Sequence, residues 1–245
     1  MNWKLILFVV FAFVFVAILA MVQITTKLSF GIIVLPQLAP LLAFILTILI
    51  FKDLYRPITI QFNRVILLKS LIALVLPVGL FTITYFIGIF FGNNVIIPEN
   101  VISILLVGLI GMIVGATTEE IGWRSFLQPT LEKKHSVFIS SLIVGTIWGI
   151  WHIGHFMNGL VFMLGFLIFT VSVSMVMMFL LKDTKHNIII SALFHFSINI
   201  SFGIFFTEGF ENVKLFLINC SVWFIVALII IICCRKYYFC NVKKN

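Results

Sequence analysis

Charge is what this sequence lacks most. Only 10% of its 245 residues are Asp, Glu, Lys or Arg, against about 25% in a soluble domain. With 62% hydrophobic residues and a mean hydropathy of +1.26, that scarcity excludes a soluble globular protein. The only aspartates are Asp53 and Asp183, both in polar loops, so a paired-aspartate membrane protease is excluded. No His-Glu-x-x-His helix occurs, which argues against a zincin-type metalloprotease. No Gly-x-Ser-x-Gly elbow occurs, so no serine nucleophile is indicated. The four cysteines, Cys220, Cys233, Cys234 and Cys240, share no metal spacing with histidines. Three of them lie near a basic C-terminus placed in the reducing cytoplasm, so disulfides are not expected. The terminal Val242-Lys243-Lys244-Asn245 is no prenylation signal. The net charge of +8 comes from basic residues spread over loop ends. They form no stripe, so a nucleic-acid partner is excluded.

What is present is long apolar runs. Lys4 and Lys27 bracket an uncharged stretch too long for a signal peptide, whose apolar core is about 7–15 residues. It reads as a retained first helix near 5–23. Further spans are predicted near 28–51 (kinked at Pro36 and Pro40), 65–91, from 101 to the Glu119-Glu120 pair, 136–153, 160–181, 188–206 and 214–234. Asn94 and Pro98 belong to a turn-rich loop before the fourth span, and Lys69 snorkels at the start of the third. The expectation is an all-α polytopic bundle of about eight transmembrane helices in one domain, 1–245. Three leading helices fill 1–100, a core fills 101–206, and the last helix with a basic tail fills 207–245. Charge fixes the orientation. With the N-terminus inside, Lys4, Lys52, Arg56, Arg64, Lys69, Arg124, Lys133, Lys134, Lys182, Lys185, Arg235, Lys236, Lys243 and Lys244 lie inside. Only Lys27 and Lys214 lie outside. Fourteen against two is a strong positive-inside bias, so both termini are expected in the cytoplasm.

The later helices carry groups that lipid rejects. An ionised side chain at membrane depth costs at least roughly 2.5–3.5 kcal/mol, and Glu119, Glu120 and Arg124 fall within six residues. His152 with nearby His155, and His195 with Asn199, complete the set. Gly111, Gly115 and Glu119 share one helix face, as do Gly145, Gly149 and His152. Small residues at that spacing let helices approach closely, so the fourth and fifth helices are expected to pack through these faces. Ser191, His195, Asn199 and Gly203 line a third face. Arg124, four residues from Glu120, is expected to pair with it and leave Glu119 free. Counted from Leu127 at the cytoplasmic boundary, Glu119 lies ~12 Å deep, which puts the site in the cytoplasmic half of the bilayer. His152, ~24 Å from Ser136, fits that depth poorly. His155 reads as interfacial, His135 and His186 as loop residues, the Trp residues as core or interface, and the 28 Phe as lipid-facing bulk.

A carboxylate and a histidine can together make a water nucleophilic, while a histidine and an amide can donate to an oxyanion. The same His and Glu groups suit zinc, and spacing leaves the choice open. Three motifs then stand in order: Glu119-Glu120-x-x-x-Arg124, Trp148-x-x-x-His152 and His195-x-x-x-Asn199. They resemble the EExxxR, FxxxH and HxxxN motifs of the CAAX protease and bacteriocin-processing family of intramembrane proteases, the type II prenyl endopeptidase group. Trp replaces Phe in the second motif, and Ser125 stands where Gly often follows the Arg. The resemblance covers roughly 101–206. It implies an intramembrane endopeptidase in which Glu119 and His152 activate water and His195 and Asn199 stabilise the oxyanion, with Glu120 and Arg124 in support. We read the site as metal-free; the alternative is zinc on Glu119, His152 and His195. The expected substrate is a membrane-embedded or membrane-tethered peptide or protein, and the expected location is a bacterial plasma membrane. A non-enzymatic scaffold or bacteriocin-immunity protein of the same fold is the second reading. An ion-coupled transporter using Glu119 is a weaker third, because the first half of the chain has no acidic residue at depth.

Overall fold

The computed structural model describes residues 3–93, 97, 99–206 and 212–240. Asn94, Pro98 and the tail Val242-Lys243-Lys244-Asn245 lie outside the described residues. Every regular element among the described residues is helical: α1 (Trp3–Thr26), α2 (Ala39–Ile50), α3 (Arg64–Phe90), α4 (Val101–Glu120), α5 (Gln128–Leu131), α6 (Val137–Trp151), α7 (Leu160–Leu181), α8 (Ile188–Phe205), α9 (Val213–Cys233) and the short α10 (Arg235–Phe239). A π-helical stretch, Ile121–Leu127, joins α4 to α5. Six runs are long and apolar enough to cross a membrane: α1, α3, the continuous Val101–Leu131, α7, α8 and α9. Two shorter apolar helices, Leu35–Ile50 and Val137–Trp151, stand where the second and fifth spans are predicted. The chain is a multi-pass, all-α membrane bundle.

Side-chain caps start several helices. Asn63 accepts from the Ile66 N–H at 2.9 Å, Ser136 from Ile139 at 3.3 Å and Asn187 from Ile189 at 3.0 Å. Each satisfies a donor that the first helical turn leaves open. Pro36 and Pro40 do not kink a long second helix. They begin a 3-10 turn, Leu35–Leu38, and then α2, because proline fits the first helical turn, where its missing N–H costs nothing. The second helix therefore starts later than predicted, and residues 28–34 are an irregular stretch. Gln23 staples that stretch: its amide donates to the Ile33 carbonyl at 2.7 Å and accepts from the Leu35 N–H at 2.8 Å.

The bundle has a basic end and a charge-poor end. At the basic end Lys4 meets Asp53 at 2.6 Å, and its hydrogen bond holds that carboxyl below the usual range. His186 meets Glu132 at 3.1 Å, the Asn187 amide donates to the Gln61 carbonyl at 2.9 Å, and the Lys69 ammonium donates to the Lys182 carbonyl. At the other end Lys214 reaches the Phe91 carbonyl at 3.4 Å. Each of the predicted inside residues that is described lies at the basic end, except Arg124, which is buried.

Packing corrects two expectations. The glycine faces of α4 and α6 take different partners. A Cβ on Gly111 would stand 2.0 Å from the Ile32 carbonyl oxygen, and one on Gly122 2.5 Å from Pro40. A Cβ on Gly145 would stand 2.7 Å from the Val171 backbone, on α7. Small residues permit close approach without naming the neighbour. The phenylalanines, too, are not all lipid-facing. Phe8, Phe81, Phe126, Phe162, Phe169, Phe194 and Phe216 are buried, and Phe162 stacks on Phe216 with ring centres 4.2 Å apart.

Candidate active site

Adjacent helical residues point about 100° apart, so Glu119 and Glu120 face different neighbours. Both are fully buried. Glu119 is not left free. Its Oε1 accepts from the Gln37 amide at 2.9 Å and its Oε2 from the Trp148 indole N–H at 2.8 Å. Glu120 faces α8, where its Oε1 meets His195 Nδ1 at 2.9 Å. The Arg124 Nε lies 3.5 Å from Glu120 Oε2, so the expected pair forms as a charge contact, without an aligned hydrogen bond. The same guanidinium stands over the Trp148 ring, 5.0 Å from its centre. Trp148 thus touches the base candidate with its edge and the buried cation with its face.

The π-helical stretch follows the carboxylate pair directly, and the Gln128 N–H donates to the Trp123 carbonyl, five residues back. Pro129 has no N–H to offer and its ring crowds the carbonyl four residues upstream, which suits a shifted register there. Such bulges recur at functional sites. No periodicity in the sequence announces it.

His152 caps the end of α6. Its Nδ1 lies 2.8 Å from the Trp148 carbonyl oxygen. A carbonyl only accepts, so Nδ1 carries the hydrogen and Nε2 of the neutral ring is left as a proton acceptor. The His155 ring lies parallel to it, 5.7 Å away between centres.

His152, His155, His195, Asn199, Gln37 and Trp148 line a cavity of about 390 Å³, whose walls are otherwise largely apolar. Glu119 stands behind Gln37 and Trp148. Much of the lining lies toward the charge-poor end: residues 30–34, Gly108, Gly111 and Met112 on α4, His152 and His155 after α6, and Phe166 to Thr170 on α7, while His195 stands near the middle of α8. The helical run that carries Glu119 continues to Leu131, which lowers the reference point and places Glu119 about 18 Å from its basic end. The gap between His152 and Glu119 in depth narrows from about 12 Å to about 6 Å with that reference point.

Of the predicted residues, Glu120, Arg124 and His195 are in one contact chain, while His152, His195 and Asn199 share the cavity wall. Glu119 joins both through Trp148. Among the described residues no three His, Cys, Asp or Glu side chains gather to hold a metal ion. Both Glu119 oxygens accept from neutral donors, and Nδ1 of His152 and of His195 is engaged, so Nε2 is the histidine atom that a metal would take here.

Gln37 was missed by sequence reasoning. It is held by α4 twice more: Thr118 donates to its carbonyl oxygen at 2.9 Å, and a Cβ on Gly115 would lie 2.0 Å from its Oε1. The available signal was an uncharged amide between two prolines in an apolar run, opposite a glycine. Trp148 was read as an aromatic filler and acts here as a hydrogen-bond donor.

Residues 100–201 match the family described as type II CAAX prenyl endopeptidase Rce1-like. That segment holds Glu119, Glu120, Arg124, His152, His195 and Asn199, but not Gln37. The chain is also similar to lysostaphin resistance protein A of Staphylococcus aureus strains Newman, USA300 and COL, at 30% identity over 191 residues in each case. The alignment covers 75% of this chain and 44% of each relative, so the chain spans less than half the length of these curated relatives.

Proposed function

We propose that the chain, whose residues 100–201 match the Rce1-like family of type II CAAX prenyl endopeptidases, is an intramembrane endopeptidase acting on a membrane-associated peptide or protein. The observation that carries this reading is the arrangement of Glu119, fully buried and gripped by two neutral donors. It stands directly behind a cavity lined by His152, His195 and Asn199.

In this reading a water in the cavity gives its proton to Glu119, with His152 Nε2 as a second acceptor, and the oxygen attacks the peptide carbonyl carbon. The carbonyl oxygen becomes an oxyanion that accepts from Asn199 and from His195 Nε2–H. The C–N bond then breaks, and the amine leaves with the proton that Glu119 took. No residue becomes covalently bound to the substrate, in keeping with the absence of a serine nucleophile motif.

His195 Nδ1 is occupied by Glu120 at 2.9 Å, so Nε2 is the ring nitrogen that this reading assigns as donor to the oxyanion. We propose that this chemistry needs no metal.

The relatives' printed name, a resistance protein, favours a second reading, a non-enzymatic membrane protein of the same fold acting through protein contacts. Membrane peptides from cells carrying the wild type and Glu119→Gln separate the two. An endopeptidase leaves uncleaved precursors in the variant alone; a scaffold leaves the two peptide profiles the same.

A further inference from the structure

The basic end of the bundle holds a second cavity, separate from the one that His152 and His195 line. About 270 Å³ in volume, it is walled by Arg56 and Thr59 between α2 and α3, by Ser125 and Pro129 on the π-helical stretch and α5, and by Lys185 and His186 between α7 and α8. Hydrogen bonds fix two of these walls together. The Ile188 N–H donates to the Thr59 carbonyl at 3.1 Å, and the Asn187 amide to the Gln61 carbonyl at 2.9 Å. Lys185 and His186 both adopt left-handed backbone, with φ of 53° and 56°, a conformation that is strained for residues with a side chain. Both strained residues line the cavity.

The polar groups of this cavity have few partners within the chain. Ser125 is only 9% exposed, and its hydroxyl makes no hydrogen bond among the described residues. His186 Nδ1 is buried and likewise makes none. A buried donor left in that state is costly, and an acceptor-rich ligand removes the cost. Arg56 and Lys185 form no ion pair among the described residues. The neighbouring carboxylate, Glu132, is committed elsewhere. Its Oε1 accepts from the Gln128 amide at 2.7 Å, and its Oε2 meets His186 Nε2 at 3.1 Å. Two cations, a hydroxyl and a ring nitrogen therefore converge without a carboxylate of the chain between them.

We propose that this cavity binds a phosphate group, of the kind that an acidic phospholipid headgroup carries. The Arg56 guanidinium suits two phosphate oxygens at once, Lys185 adds a point charge, and the Ser125 hydroxyl donates from the floor. Basic pockets between transmembrane helices take such headgroups. Ile60 (60% exposed) and Phe62 (83% exposed) lie on the same stretch as Arg56 and Thr59, and they give acyl chains an apolar surface. Ser125 directly follows Arg124, so the headgroup touches the π-helical stretch that runs on from Glu119 and Glu120. The proposal does not rest on the peptidase reading.

The test is native mass spectrometry of the purified full chain from detergent micelles holding equal amounts of phosphatidylglycerol and phosphatidylcholine. The wild type retains phosphatidylglycerol in preference to phosphatidylcholine. In Arg56→Gln combined with Lys185→Gln that preference falls by at least about tenfold. Lys185→Gln and Ser125→Ala, each with the size-exclusion profile of the wild type, lose part of it, which keeps the test readable if the double variant does not fold. A second arm measures Tm in neutral detergent with inorganic phosphate against chloride at equal ionic strength. A phosphate-dependent rise in the wild type that Lys185→Gln lacks, without any lipid preference, supports the site with free phosphate as its source. A wild type with neither lipid preference nor phosphate-dependent rise overturns the proposal. So does a preference or a rise that the variants keep in full.

Discussion

The Trp148 indole N–H donates to Glu119 Oε2 at 2.8 Å while the face of the same ring carries the Arg124 guanidinium. One side chain thereby links a buried carboxylate to a buried cation. Trp148→Phe removes the donor and keeps the ring face. A hydrogen bond to a charged group is worth about 1.5–3 kcal/mol, so turnover falls roughly 10–100-fold if the loss is expressed in rate, while membrane accumulation holds. Trp148→Ala also removes the ring, a packing loss of about 3–5 kcal/mol, and accumulation falls as well. Quantitative immunoblotting beside a cleavage assay separates the two effects.

Gln37 and Gly115 form one device. Gln37→Leu removes the donor to Glu119 Oε1 and lowers turnover by roughly 10–100-fold with little change in KM. Gly115→Ala places a methyl where Gln37 Oε1 now sits and produces a loss of the same kind. The double variant loses no more than the worse single one. Losses that multiply in the double variant would show that the two residues act separately.

Glu120 and Arg124 carry a different signature. Removing one member of a buried charge pair costs about 3–5 kcal/mol. Glu120→Ala and Arg124→Ala are each expected to reduce folded protein in the membrane. Glu120→Gln combined with Arg124→Met leaves neither charge, so accumulation returns toward wild type while cleavage does not. Fluorescence-detected size-exclusion profiles check the first part and the cleavage assay the second.

From the positive-inside count, both termini are expected in the cytoplasm. A reporter fused after the described C-terminal helix α10 is expected to be active only as a cytoplasmic reporter. An exoplasmic signal there would mean that one apolar segment does not cross.

The charged part of the site was legible because ionised groups at depth are costly and therefore conspicuous. Glu119, Glu120, Arg124, His152 and His195 came from that rule joined to helical spacing, and Asn199 from its place one helical turn after His195. Gln37 escaped it, since a neutral amide in an apolar run gives no charge signal. The helix positions were legible from hydropathy, but their partners were not. The glycines of α4 receive the 31–37 stretch and those of α6 receive α7, a choice that depends on tertiary fit. Depth was less legible for a local reason: the π-helical stretch and α5 carry the fourth span past Leu127 to Leu131, so a count begun at Leu127 makes Glu119 about 6 Å too shallow.

The central claim is that Glu119 is the base of a peptidase. The most direct measurement is turnover by the purified chain in proteoliposomes, on a peptide found uncleaved only in cells carrying Glu119→Gln. The wild type cleaves it at one bond, and an equal amount of folded Glu119→Gln, which keeps the shape but cannot take a proton, is slower by at least about 100-fold. Near wild-type turnover by the variant would contradict the account.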